Sequence, residues 1–242
     1  AFSFGNVAQD EGSAMAEYAI RRGWKEAGLA TNTLLVYFKN VIQAFDKRYA
    51  QLGGKVVARE SYATGANNVQ LAVTKLNAKK ADVYVTSTAF GELPAFVSGF
   101  RTLGNQTPIL NSWAGDGTYW VTNTPKVTNY YAVTYASIFG DDPNPKINRL
   151  GKQVKAGTGG FVQGIGTIDG IVEAIKRAKG STNGIVLART LEGFRKVPTT
   201  GGRISFSRNL HSVFGRQYRV IKVQDNKGSR VGFVTAKVVP KI

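Results

Sequence analysis

Short apolar runs alternate with amphipathic stretches along the first half of the chain, and the alternation predicts successive strand–loop–helix units. Residues 26–31 and 55–62 read as strands, and helical spacing of apolar positions follows over residues 41–52 and 69–79. A third strand, residues 82–88, runs through Ala89-Phe-Gly-Glu-Leu-Pro94 into a helix over residues 95–103. Strands that alternate with helices imply an α/β fold with a parallel, Rossmann-like sheet. Ligands of such sheets bind beyond the carboxyl ends of the strands, where the strand order reverses, so residues 1–126 are the place to look for function.

The pattern changes beyond Trp120. Residues 127–136 form a Tyr/Val/Thr-rich strand closed by the turn cluster Gly140-Asp-Asp-Pro-Asn-Pro145. Residues 146–196 then read as three helices with almost no strand. The middle one, 161–178, carries Ile165, Ile168, Ile171, Val172 and Ile175 as an apolar face with small residues between them. From Arg203 the chain returns to strands at 203–206, 217–224 and 231–238, the last two joined by the turn Asp225-Asn-Lys-Gly228. Three helices with an apolar face and no strands of their own must pack on the first unit, or cover a sheet that lies outside this chain.

Composition narrows the classes. The 43% hydrophobic content, with 13 Phe, 10 Tyr and 3 Trp, suffices for a packed core, and no apolar run is long enough to span a membrane. The absence of cysteine excludes disulfides, a thiolate nucleophile and zinc–thiolate sites, and fits an exported protein that does without disulfides. Residues 1–5 lack the basic flank and long apolar core of a signal peptide, so the expectation is a processed start or a start partway through a longer protein. The net charge of +17 invites a nucleic-acid reading. Its basic pairs, such as Arg21/Arg22, Lys47/Arg48 and Lys79/Lys80, are scattered over helix ends and exposed faces. No aromatic–basic recognition pattern or helix-turn-helix accompanies them, so no nucleic acid is expected as a partner.

The order and spacing of several short motifs carry a resemblance over essentially the whole chain. These are Asp10-Glu-Gly12, Gly23-Trp-Lys25, Tyr37, Gly53-Gly-Lys-Val-Val57, Tyr62-Ala-Thr-Gly-Ala66, Ala81-Asp-Val-Tyr84, Phe100-Arg-Thr-Leu-Gly104, Thr107-Pro-Ile-Leu-Asn111, Gly160-Phe-Val162 and Gly202-Arg-Ile-Ser-Phe206. Together they resemble the periplasmic substrate-binding proteins of branched-chain amino-acid (Leu/Ile/Val-type) ABC transporters, with the type I periplasmic-binding-protein fold. The resemblance implies a two-lobed clamp that holds a small amino acid or related organic carboxylate, aromatic or branched ones included, and delivers it to a membrane permease. It implies an extracytoplasmic, periplasmic location and no cofactor. On that map residues 1–133 are the C-terminal-type ligand-binding lobe, 134–202 the helical part of the N-terminal-type lobe, and 203–242 a hinge-crossing segment with the terminal hairpin. The first sheet of the N-terminal lobe has no counterpart here, which makes the second lobe incomplete and accounts for helices without strands. With half the cleft missing, residues 1–242 alone are expected to bind solute weakly or not at all. A compact flavodoxin-like domain with an added helical layer is the alternative that needs no missing part.

The resemblance also points to site residues. Tyr37, in the loop after the first strand, matches a ligand-facing tyrosine, although the acid and glycines around it are replaced by Thr33 or Asn32, Phe38 and Asn40; it reads equally as a core cap. Ala89 and Phe90 follow the third strand, where the family often sets an aromatic against the ligand; Phe90 also reads as a helix-entry staple. After the fourth strand, where amino-acid binders hold the ligand ammonium with an acid, this chain has Trp113, with Asp116 three residues later. If Asp116 does not reach, the ligand is not a plain amino acid, because an unpaired charge in a desolvated cleft costs several kcal/mol. Trp113 offers a flat apolar wall instead, and Asp116 reads alternatively as a turn residue. Phe161 aligns with a pocket-lining phenylalanine but is also the first apolar residue of a helix.

Enzyme readings find little support. His211 is the only histidine, no Gly-x-Ser-x-Gly elbow exists, and one histidine without cysteine leaves only carboxylates for a metal. The glycines of Gly157-Thr-Gly-Gly160 and Gly164-Ile-Gly166 lack the Lys-Ser/Thr of a phosphate loop. A binding module is the expected class, with a ligand-sensing receptor domain of the same fold as the runner-up.

Overall fold

A computed structural model of the chain describes residues 1–5, 7–89, 91–118 and 125–242. Its centre is a seven-stranded sheet of order β2-β1-β3-β4-β5-β8-β9. The parallel part comprises β1 (Glu26–Asn32), β2 (Lys55–Tyr62), β3 (Val83–Ser87), β4 (Ile109–Asn111) and β5 (Tyr130–Thr134). The hairpin β8 (Tyr218–Gln224) and β9 (Lys227–Val234) joins the edge of β5 antiparallel. Its turn is shorter than the sequence suggests. Asp225 and Asn226 both adopt positive φ, 54° and 62°, which makes a two-residue turn whose twist matches the strands, so Lys227 already pairs with Gln224.

Successive residues of β3, β4 and β5 point to opposite faces, as strands buried on both sides require. Val83, Val85, Leu110, Tyr131 and Val133 pack with α1 (Ala8–Arg21) and α2 (Val36–Gln51). Tyr84, Ile109, Tyr130 and Ala132 pack with α3 (Ala66–Asn77) and α4 (Glu92–Thr102). The result is a three-layer α/β body. Gly12 sets the distance between α1 and α2: a Cβ there would run into the Val41 carbonyl oxygen and lie 2.9 Å from the Phe45 nitrogen. In the layer on the opposite face, the buried Arg101 guanidinium of α4 gathers the carbonyls of Asn105, Thr107 and Thr128. Burial lowers its pKa to about 10.

The second body holds α5 (Pro145–Gln153), α6 (Phe161–Arg177), α7 (Gly184–Glu192) and a two-stranded sheet of β6 (Val197–Thr199) and β7 (Gly202–Ile204). The sequence reading misses β6 because Pro198 marks a break; an edge position in a two-stranded ladder tolerates it. Helix α7 begins at Gly184 rather than Leu187, because the Asn183 side chain accepts hydrogen bonds from the Ile185 and Val186 amides and caps it. A small cluster of Phe4, Ala174, Leu191, Phe194, Val197, Ile204, Phe206 and Val213 forms this body's own core. Helix α6 buries Val162, Gly166, Gly170 and Ala174, four residues apart on one face. Gly170 and Ala174 meet this core, Gly166 approaches Thr199 and Gly201, and Val162 joins the core of the first body. The isoleucine face singled out in the sequence points the other way: Ile168 is 63% exposed and Ile171 and Val172 each 43%.

Three stretches link the bodies. The first and last run side by side, with the Ser3 amide donating to the His211 carbonyl at 2.7 Å and a parallel bridge between Ser3 and Ser212. Arg216 ties them further by donating to the Phe4 carbonyl at 2.9 Å and to that of Gly201, with its guanidinium 5.1 Å from the Tyr135 ring centre. The middle stretch follows β5 and is anchored by Asp142, whose carboxylate is fully buried and paired with Arg219 of β8 at 2.9 Å. Among the described residues no helix is long and apolar enough to cross a membrane.

Candidate functional site

The chain leaves β1 for β2 on one side and returns to β3 on the other, so the strand order reverses between β1 and β3. The ends of these strands are stitched together by buried polar side chains. Asn32 donates to the Thr88 hydroxyl at 2.9 Å, Ser87 and Ser112 share a hydrogen bond of 2.8 Å, and Asn111 donates to the Thr88 carbonyl and to the Tyr130 hydroxyl, each at 3.0 Å. Such a network fixes the loops that leave the sheet, since each buried polar group is satisfied by its neighbour.

Above these ends lies a hollow of about 330 Å³ lined by Leu35, Tyr37, Phe38, Ala89, Trp113, Ala114, Asp116, Gly157 and Thr158. Four residues expected from sequence, Tyr37, Ala89, Trp113 and Asp116, therefore share one concavity, although they come from segments far apart in the chain. Phe161 is not among its lining residues; its ring lies over Gly151 of α5, 3.4 Å from where a Cβ would stand. Phe90 lies outside the described residues.

Tyr37 sits in the first turn of α2 rather than in a loop, because the helix begins at Val36, five residues before the sequence periodicity becomes clear. The Tyr37 hydroxyl donates to Glu11 Oε2 at 2.6 Å, and the Trp113 amide donates to Glu11 Oε1. One buried carboxylate on α1 thus sets both aromatic walls. Burial and the neighbouring Glu11 charge raise the Tyr37 phenol well above its usual pKa and keep it protonated. The sequence takes Asp10-Glu-Gly12 only as a marker and does not show this role; the one available signal is two adjacent acids in the first turn of a helix, followed by the small residues Gly12, Ser13 and Ala14. Asp10 is used similarly, accepting from the Gly215 amide at 2.8 Å and the Tyr218 hydroxyl at 2.9 Å.

Asp116 braces the floor of the hollow. Its Oδ2 accepts from the Thr134 hydroxyl at 2.6 Å, the Thr158 hydroxyl at 3.0 Å and the Gly159 amide at 2.6 Å. The carboxylate therefore fastens the loop entering α6 to the end of β5. Burial raises its pKa, and these donors pull it back only in part. Gly159 and Gly160 are required by the close approach. A Cβ on Gly159 would meet the Ala136 carbonyl oxygen, and one on Gly160 would lie 2.8 Å from the Trp113 indole. The indole Nε1 is buried there without a hydrogen-bond partner. His211 lies away from the hollow, stacked on Phe2 at 4.0 Å and 3.3 Å from Glu192.

Comparison with solved structures finds the same fold. The leucine-binding protein LivK of Thermotoga maritima superposes with a TM-score of 0.81 at 17% identity, over 95% of this chain and 66% of that one. LivJ of Streptococcus pneumoniae, a branched-chain amino-acid transporter substrate-binding protein in complex with isoleucine, gives 0.77 at 20% identity over 93% and 65%. An ABC-transporter solute-binding protein of R. palustris in complex with benzoate gives 0.79 at 15% identity over 99% and 67%. The chain thus spans about two thirds of the length of these structures. Comparison with curated proteins returned no significant match. A hollow at the strand-order reversal of a mostly parallel sheet, closed on one side by a loop from a second body, accords with the family that the sequence itself matches over residues 1–229: the chain belongs to the periplasmic binding protein family.

Proposed function

We propose that this chain carries one jaw of an extracytoplasmic solute-binding protein of an ABC transporter, which takes up a small amino acid or related organic carboxylate and presents it to a membrane permease. The observation that carries the reading is the convergence of Tyr37, Ala89, Trp113 and Asp116 on one hollow at the strand-order reversal. In this reading residues 1–133 are the ligand-binding lobe, 134–202 the helical part of the other lobe, and 203–242 a hinge-crossing segment and terminal hairpin. The outward isoleucine face of α6 supports it, since a face of that kind is what a helix presents to a sheet. The neighbours bound to isoleucine, benzoate and, in another R. palustris protein, 3,4-dihydroxybenzoic acid supply the solute classes.

Closure of two jaws adds contacts that one jaw cannot make, so one jaw binds more weakly than a pair. The chain of residues 1–242 is expected to hold such solutes with millimolar dissociation constants, about −4 kcal/mol. Calorimetric titration with branched and aromatic acids checks this. Micromolar binding would show that the hollow is complete without an opposing jaw, and turnover of the solutes would overturn the binding-module reading.

A further inference from the structure

We infer that the hollow receives the flat or branched apolar body of an organic acid that carries no ammonium group; this deepens, and rests on, the solute-binding reading above. An ammonium held away from water needs acceptors that are fixed and still have capacity. Among the described residues two carboxylates touch the hollow or its walls, and both are already engaged by the protein. Asp116 Oδ2 takes three donors, from Thr134, Thr158 and Gly159. Glu11 takes the Tyr37 hydroxyl and the Trp113 amide. Turning either acid toward a ligand would strip buried donors of their acceptor, so a ligand ammonium gains little from them. The Thr158 hydroxyl is occupied too, donating to Asp116 and accepting from the Gly160 amide at 3.1 Å.

What remains open toward the cavity is the apolar surface of Leu35, Tyr37, Phe38, Ala89 and Trp113. Trp113 cannot turn aside to make room for polar groups, because its indole is pressed on Gly160 and its ring lies 5.4 Å from that of Tyr135. A flat wall held in this way suits a ring or a branched acyl chain. No Lys, Arg or His lines the hollow among the described residues, so the carboxylate of such a ligand stays at the open mouth, in the positive field of a chain with net charge +17.

The test is a ¹H–¹⁵N NMR titration of the chain with benzoate, L-leucine and acetate at constant ionic strength, each to about 20 mM, where millimolar binding saturates. The Trp113 indole N–H signal is assigned through Trp113→Phe. Benzoate is expected to shift that signal and the Ala89 and Thr158 amides saturably, at least about tenfold more tightly than L-leucine, with acetate inert. Leu35→Ala, at a half-exposed position, should weaken the benzoate effect without unfolding the chain. If L-leucine saturates the same signals as tightly as benzoate, the solute-binding jaw stands and the exclusion of ammonium falls. If acetate matches benzoate, the response is to charge alone and the apolar specificity falls. If no probe moves these signals saturably, or Leu35→Ala leaves the benzoate effect untouched, the inference and the assignment of the hollow fall together.

Discussion

Glu11 shows how much one side chain decides. Its two oxygens hold Tyr37, in the first turn of α2, and Trp113, in the short turn after β4, in a single wall. Glu11→Gln keeps the volume but puts an amide where an acceptor is needed, and one donor loses its partner. The expected cost is about 1–3 kcal/mol in urea unfolding, together with a loss of the benzoate-induced NMR shifts. Asp116 adds a pH dependence of defined sign. Burial lifts its folded-state pKa above the ordinary carboxylate range, so the folded chain keeps a proton that the unfolded chain has released. Its contribution is therefore full in acid and is lost as pH rises from the ordinary carboxylate range through the raised value. Asp116→Asn, which does not titrate, should show less loss of stability than the parent over that interval. A stability difference that does not change with pH would argue against a proton held there.

At the scale of elements, α6 is the instructive case. Gly166, Gly170 and Ala174 are buried on its inner face, while Ile168, Ile171 and Val172 stand exposed on the other. Hydrophobicity alone assigns the faces the other way round, because close approach of two backbones favours the smallest side chains. Gly170→Val should place methyl groups on the Phe4 ring and cost about 1–3 kcal/mol in denaturant unfolding. Ile168→Lys, on the exposed side, should stay within about 0.5 kcal/mol of the parent. The strands were easier to read. The β1 and β2 boundaries follow directly from sequence because β-rich runs are bounded by turn residues, whereas the start of α2 does not, because Tyr37 enters the helix through its bond to the distant Glu11. Of the residues proposed for the site, Tyr37, Ala89, Trp113 and Asp116 follow strand ends in the sequence and line the hollow together, whereas the Phe161 ring lies over Gly151 of α5.

For the whole molecule, the net charge of +17 acts on every part at once. Like charges repel in the compact state, and added salt screens them over about 10 Å at 0.1 M. The melting temperature is therefore expected to rise between low and moderate ionic strength in differential scanning calorimetry, whereas a fall would mean that specific ion pairs outweigh the net repulsion. Only two of the ion pairs among the described residues, Arg48–Glu17 and Arg219–Asp142, are largely withdrawn from solvent, so most pairs are open to the same screening.

The order of strands and helices, the parallel sheet and the positions at its carboxyl edge were fixed by the chain itself, because period-two and helical hydrophobic patterns are local and survive without knowledge of partners. The tasks of Glu11 and Asp116, the direction of the α6 faces and the joining of four strand-end residues into one hollow were decided only when distant segments met. A carboxylate has the same appearance in sequence whether it awaits a ligand or is engaged by the protein's own donors, and only the packed structure distinguishes the two.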